Sequence, residues 1–294
     1  METNAIQKQL SGHNGAIYDV CWDYFRQEWL TAGGDGVVAA WNESNGRALL
    51  SSEHAFFSIQ CIVSGPVAGT EKGELMMFDA QGTPRKVAAH DRGIFALSPI
   101  GPSQFYCGGG DARITRWDSE ILCGEWHWKN ARKIRTIVPS TQGVLVGSSS
   151  GKGLILNKLT ASNDLNNGLE INGHEGGLYA AVFMPIKSVW LTGGRDGHLR
   201  VWSTLGKELL AIPAHEAAIY RILLHDGKIY TASRDKTVKR WNAEDLAFEF
   251  KWDHTNRGAK RSVNALGIGG NENNWLLAAG DDRLIRLMQL NSQP

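Results

Sequence analysis

Nine histidines and a glycine run carrying a lysine are the features of this 294-residue chain that first suggest chemistry. Seven of the histidines (His13, His54, His90, His127, His174, His215 and His254) recur roughly 40 residues apart, and in a ring they would converge as a metal site. The spacing argues against one, because no H-x-x-x-H or H-E-x-x-H pair is present to seat an ion. Residues 147–153, with Lys152, approach a phosphate-binding loop but fall one residue short of G-x-x-x-x-G-K-[ST]. They place Gly153 where the metal-binding hydroxyl belongs, and they run into the strand-like Leu154, Ile155 and Leu156 instead of a helix. Cys21, Cys61, Cys107 and Cys123 show no metal-ligand spacing and read as reduced thiols. No cofactor or metal is expected.

A more regular pattern lies between these features. Thr31, Asp35 and Trp41 are spaced four and six residues apart, and the same interval recurs in Thr192, Asp196 and Trp202 and in Thr231, Asp235 and Trp241. Weaker copies end at Phe78, Trp117, Asn157 and Met288. An Asp in a tight turn needs donors. A neutral His offers one nitrogen and accepts at the other, and Thr and Trp supply further donors. Leaving one such buried group unpartnered costs roughly 1–3 kcal/mol.

The elements that must position these residues follow from the period. Copies near 40 residues apart mark propeller blades, and short β-branched runs between turns at 8–12-residue intervals mark antiparallel strands. In one repeat, residues 178–184, 188–192, 199–203 and 208–212 read as strands a to d. The last repeat lacks a fourth strand, so residues 5–10 are placed beside 284–290 to close the ring and remove a free sheet edge. Residues 158–172, rich in Ser, Asn and Asp, read as a mobile insertion, and residues 255–261 as a lengthened loop carrying Arg257, Lys260 and Arg261.

On these motifs the whole chain, residues 1–294 as one domain, resembles the WD40 family of seven-bladed all-β propellers with four-stranded antiparallel blades. The resemblance implies hydrogen-bonded tetrads of His13, Thr31, Asp35 and Trp41; of His174, Thr192, Asp196 and Trp202; and of His215, Thr231, Asp235 and Trp241. The third repeat keeps His90, Asp111 and Trp117 but has Cys107 where the hydroxyl belongs; the second, fourth and seventh have lost most of the set. Five residues after the repeat His the chain places Tyr18, Phe95, Tyr179 and Tyr220, with Arg135 and Asn264 at equivalent positions. The second repeat stays open, because Phe56, Phe57, Ser58 and Ile59 permit two registers. The resemblance puts these residues on the top face beside the central channel, together with Arg195 and Arg234, which precede the turn Asp. Two readings stand there: a partial aromatic ring gripping a partner, or packing between neighbouring blades. With Lys133, Arg257, Lys260 and Arg261, the fourth to seventh repeats look basic, partly offset by Glu175, Glu216 and Asp281.

Composition narrows the classes. Hydrophobic residues at 42% and charged residues at 21% allow a packed core. A net charge of +1 gives no general pull on nucleic acid or acidic membranes. The chain shows no signal-peptide core and no apolar run near the ~18 residues of a membrane span, so a soluble, cytoplasmic protein is expected, monomeric on its own. The expected function is a non-catalytic scaffold or adaptor for protein partners through the top face. A reader of acidic or phosphorylated peptides through Arg195, Arg234 and Arg135 is the alternative. A hydrolase with a divalent metal in the channel is the rival from another class; it finds few inward carboxylates or amides, Asp19 and Asn264 being the main ones.

Overall fold

The structure, a computed structural model, describes residues 6–42, 45–79, 81–157, 159, 165 and 168–290. These form seven four-stranded antiparallel sheets. Six sheets are meanders of consecutive strands; the seventh takes its outer strand from the start of the chain. There Ile6–Ser11 pairs with Leu284–Gln289, Ser11 opposite Leu284 and Leu10 opposite Ile285. The predicted closure is thus observed from Ile6 onward; residue 5 lies outside the described residues.

The first strands of the blades are Ile17–Asp23, Phe56–Ile62, Ile94–Pro99, Ile134–Ser140, Leu178–Met184, Ile219–His225 and Val263–Gly269. Each packs against the first strands of both neighbouring blades, and the first blade against the seventh, so the seven surround a central channel. Second strands such as Glu28–Gly33 and Gly143–Ser148 are buried along their whole length, whereas outer strands such as Glu208–Pro213 are mostly exposed. The core therefore lies between blades. One cluster joins Ile17, Trp29 and Trp41 of the first blade to Ala265, Leu277 and Ile285 of the seventh.

Glycine in the second strand has a packing reason. A Cβ at Gly69, Gly108 or Gly147 would lie within 2.6 Å of Ile94, Ile134 or Leu178, the residue opening the next blade's first strand. The missing side chain is the space that the neighbouring blade fills.

Of the predicted insertion, residues 158, 160–164 and 166–167 lie outside the described residues. Leu159 and Leu165 are buried in the third and fourth blades' shared cluster, and Leu169–Asn172 is the fourth blade's outer strand. The fourth repeat ends one residue earlier than expected: Leu156, not Asn157, sits across from Val144 as Trp41 does from Trp29. Among the described residues no helix is long and apolar enough to cross a membrane.

Candidate partner-binding face

The top face is the end where loops entering each blade meet the turns between its second and third strands. In every blade one backbone hydrogen bond joins them: the N–H of Gly34, Glu71, Gly110, Ser149, Arg195, Arg234 or Asp281 donates to the carbonyl of Ala16, Ala55, Gly93, Lys133, Gly177, Ala218 or Ser262, at 2.7–3.0 Å. Side chains reinforce this clamp. In the first blade His13 Nδ1–H donates to Asp35 at 2.9 Å, Thr31 Oγ1–H donates to His13 Nε2 at 2.7 Å, and Trp41 Nε1–H donates to Thr31 Oγ1 at 2.7 Å. The fifth and sixth blades repeat the relay with His174, Thr192, Asp196 and Trp202 and with His215, Thr231, Asp235 and Trp241, every link between 2.7 and 3.0 Å.

Burial alone would raise the turn carboxyls, but the His and backbone donors outweigh it. Asp35 is held below the ordinary carboxylate range, and Asp111, Asp196 and Asp235 well below it. Burial lowers His215, with Asp235 offsetting part of the shift, which favours the neutral ring that the relay needs.

The third blade corrects the sequence reading. It does have a hydroxyl, but on the opposite strand: Thr115 lies directly across from Cys107 in the ladder. Thr115 Oγ1 stands 3.1 Å from His90 Nε2 and accepts Trp117 Nε1–H at 2.8 Å, while burial pushes the Cys107 thiol well above its ordinary value. A second correction concerns three histidines. His54 pairs loosely with Glu71, His127 ends the exposed strand Ile121–His127, and His254 opens a short helical turn, so none of them takes the place of the repeat His.

The family model described as WD domain, G-beta repeat matches residues 4–42, 167–203 and 206–242, the repeats of the first, fifth and sixth blades. These three blades of the seven-bladed propeller are WD40 repeats. A chain of the solved structure titled "Crystal Structure of Mitotic Checkpoint Complex" superposes on this WD40 propeller with a TM-score of 0.82, covering 99% of this chain and 93% of that one. At 15% identity that likeness concerns the fold alone. Among curated proteins, Topless-related protein 4 of Arabidopsis thaliana is 26% identical over 132 residues, 42% of this chain and 12% of its own length. Guanine nucleotide-exchange factor SEC12 of Rattus norvegicus is 38% identical over 63 residues, 21% of this chain and 15% of its own. Echinoderm microtubule-associated protein-like 4 of Xenopus tropicalis is 26% identical over 133 residues, 42% of this chain and 13% of its own. Each match spans less than a sixth of those relatives' length.

The candidate contact residues of this WD40 propeller fall at one structural position. Tyr18, Phe95, Arg135, Tyr179, Tyr220 and Asn264 are each the second residue of a first strand, and Phe57 fills the position in the second blade. In all seven blades the strand ladder skips this residue, as between Ile17 and Asp19 or Ile134 and Thr136. A bulge re-aims the skipped side chain. All seven are half-buried, and each follows a buried apolar residue.

Their rings touch in succession. Tyr18 meets Phe57 edge-on at 5.3 Å, Phe57 stacks on Phe95 at 5.1 Å, and the Arg135 guanidinium lies 4.9 Å from both Phe95 and Tyr179. Tyr179 stacks on Tyr220 at 5.9 Å. Asn264 ties the seventh blade to the first by donating to the Ile17 carbonyl at 3.1 Å, and it also donates to Asp281 at 2.7 Å. The two sequence readings are thus compatible: the side chains pack blade against blade, and all of them but Tyr179 line a cavity.

That cavity, about 500 Å³, is the channel mouth. Tyr18, Phe57, Phe95, Arg135, Tyr220, Arg221, Arg234, Ser262, Asn264 and Asp281 line it; Arg195 stands outside, its stem passing Gly176. Glycine preceding the turn Asp lets the aromatic edge lie flat: a Cβ at Gly34 would meet Tyr18 at 3.0 Å, and one at Gly110 would meet Phe95 at 3.1 Å. Of the predicted basic sector, Arg135 and Arg234 reach the mouth and Lys133 lies over Phe95 at 5.0 Å. Lys260 and Arg257 instead serve the seventh blade through their backbones: Lys260 N–H donates to Asp282, and the Arg257 carbonyl accepts from Arg286.

Arg221 was missed in the sequence. It follows Tyr220 and ion-pairs at 2.5 Å with Asp19, the residue following Tyr18 in the first blade. Asp19 also accepts the Ile59 N–H at 3.0 Å, so this inward carboxylate is fully engaged. Among the described residues no group of three His, Cys, Asp or Glu side chains is placed to hold a metal. Residues 147–151 also spell G-x-S-x-G, but they form a turn between two strands where Ser149 Oγ accepts the Lys133 N–H, unlike the strand-to-helix elbow of a hydrolase.

Proposed function

We propose that this propeller is a non-catalytic platform that binds a protein partner over its channel mouth. The observation that supports this most is the ring at the bulge position: five aromatics and an arginine from six successive blades in contact, all but Tyr179 lining one cavity. Tyrosine and arginine are the side chains most often found as anchors in protein interfaces. Rigid rings already packed against one another lose little freedom on binding. WD40 propellers in general bind proteins, and the structurally similar propeller is part of a complex, as its title says. SEC12 is named as an exchange factor, so a regulatory platform is within the range of the relatives' names.

The test compares wild type with a variant carrying Tyr18, Tyr179, Tyr220 and Arg234 all as Ala, both confirmed as folded. Proteins captured from source-cell extract by wild type should be lost by the variant. Identical captured sets would return the ring to a purely structural role.

A further inference from the structure

Arg135 is the one cation in the inner ring, and its surroundings leave it unneutralised. Its guanidinium lies over the rings of both Phe95 and Tyr179, 4.9 Å from each. Rings attract a cation through their faces but accept no in-plane N–H bond. The buried Nε of Arg135 has no hydrogen-bond partner, and no carboxylate pairs with the guanidinium among the described residues. Desolvation lowers its pKa, with the neighbouring Arg221 charge acting in the same direction.

The other charges at the mouth do not supply the missing anion. Arg221 is committed to Asp19, Asp281 is bonded by Asn264, and Arg234 is exposed with no ion pair among the described residues. Of the three guanidiniums Arg221 is neutralised by Asp19, and Asp281, held by the neutral Asn264 amide, is the one carboxylate lining the cavity against Arg135 and Arg234, so positive charge is in excess there. A desolvated charge without a partner is unfavourable, and an incoming anion relieves it.

From this we infer that the mouth is a seat for one acidic side chain of the protein partner, its anion held by Arg135 and Arg234 and its stem collared by Tyr18, Phe57, Phe95 and Tyr220. The inference rests on the top-face platform proposed above and names what enters it. A cavity of about 500 Å³ with aromatic walls suits a side chain better than a bare ion, which would leave those walls unfilled. An extended polyanion such as nucleic acid would meet exposed Glu175 and Glu216 on the loops around the mouth.

The test is a titration followed through the Arg Nε–H resonances of isotope-labelled protein. The probes are a capped Gly/Ser peptide with a central Glu, the same peptide with Gln, the same with phosphoserine, inorganic phosphate, and a thymidine oligonucleotide. The Glu or phosphoserine peptide should move the Arg135 resonance and bind about tenfold or more tighter than the Gln peptide. The two acidic arms tell carboxylate from phosphoryl. Arg135→Gln and, separately, Arg234→Gln should weaken that binding, while Arg195→Gln, outside the cavity, should leave it intact.

Equal binding of Glu and Gln peptides, no binding of any peptide, or unchanged binding in both Arg135→Gln and Arg234→Gln would overturn the seat. So would phosphate or the oligonucleotide binding more tightly than every peptide. Partner capture separates the two claims: if Arg135→Gln still captures partners that the fourfold ring variant loses, the platform stands and only the anion seat falls.

Discussion

The first, third, fifth and sixth blades clamp their top loops with a His–Asp–hydroxyl–Trp relay, while the second, fourth and seventh do without it. Yet the same backbone bond from turn to loop is present in all seven. The relay is therefore one of several ways to secure a shared backbone geometry. In the seventh blade Arg286 and Asp282, both nearly buried, pair through two N–H donors at 2.7 and 3.1 Å, and Arg286 also donates to the Arg257 carbonyl. In the fourth, Ser148 Oγ accepts the backbone N–H of Arg132 and Ser150. In the second, Thr70 Oγ1 accepts the Glu74 N–H. The seven bulges, and with them the ring around the channel, survive every one of these exchanges.

The largest effect should come from the blade that borrows its outer strand. Removing residues 1–10 deletes most of the strand paired to Leu284–Gln289, and urea unfolding should show a cooperative loss approaching the ~5–15 kcal/mol that holds a typical domain together. A truncated chain that unfolds like wild type would contradict the closure. Next is Arg286→Leu, which leaves the buried Asp282 unpaired and should cost about 3–5 kcal/mol by the same measurement.

The relay itself is worth less. His174→Ala should lower the melting temperature without abolishing the fold, and Thr115→Val should cost about 1–3 kcal/mol because it strips His90 and Trp117 of their common partner. Cys107→Ser should bring no comparable gain, since the relay already has its hydroxyl. If Cys107→Ser rescued Thr115→Val to full stability, the two strands would be interchangeable sources of that group.

The smallest effect is pH-dependent. His215 has a folded pKa below its unfolded value of about 6.5, so the unfolded chain takes up the proton first; the associated stability is complete above that pH and declines below it. The turn aspartates, also lowered, hold their contribution above an unfolded pKa of about 4 and lose it as pH falls further. His215→Gln should flatten the melting temperature between about pH 7 and 5 and leave the drop below pH 4 in place.

How much of this was legible in the sequence depended on what local spacing can encode. The period, the three complete relays and the closing strand were readable because each rests on residues at fixed chain distance. Most of the ring was readable for the same reason, since each member stands five residues after a His or aligns on the apolar residue before it. Thr115 was not, because a hydroxyl moved across the ladder keeps its place in space while changing its place in the chain. Arg286 and Arg221 were hidden likewise: each replaces or completes a function with a residue type outside the repeat pattern, and only strand register shows what faces it. Phe57 needed the bulge between Phe56 and Ser58 to be told from its neighbours.

The central claim, that partners are held at the ring and not at the exposed outer strands, is tested most directly by photo-crosslinking from two positions in the same extract. A photoreactive residue in place of Phe57, at the channel mouth, should yield specific crosslinked partners, while one in place of Leu209, exposed on an outer strand, should yield none of them. Partners trapped from Leu209 and absent from Phe57 would contradict the account and move the binding surface to the outer edge of the propeller.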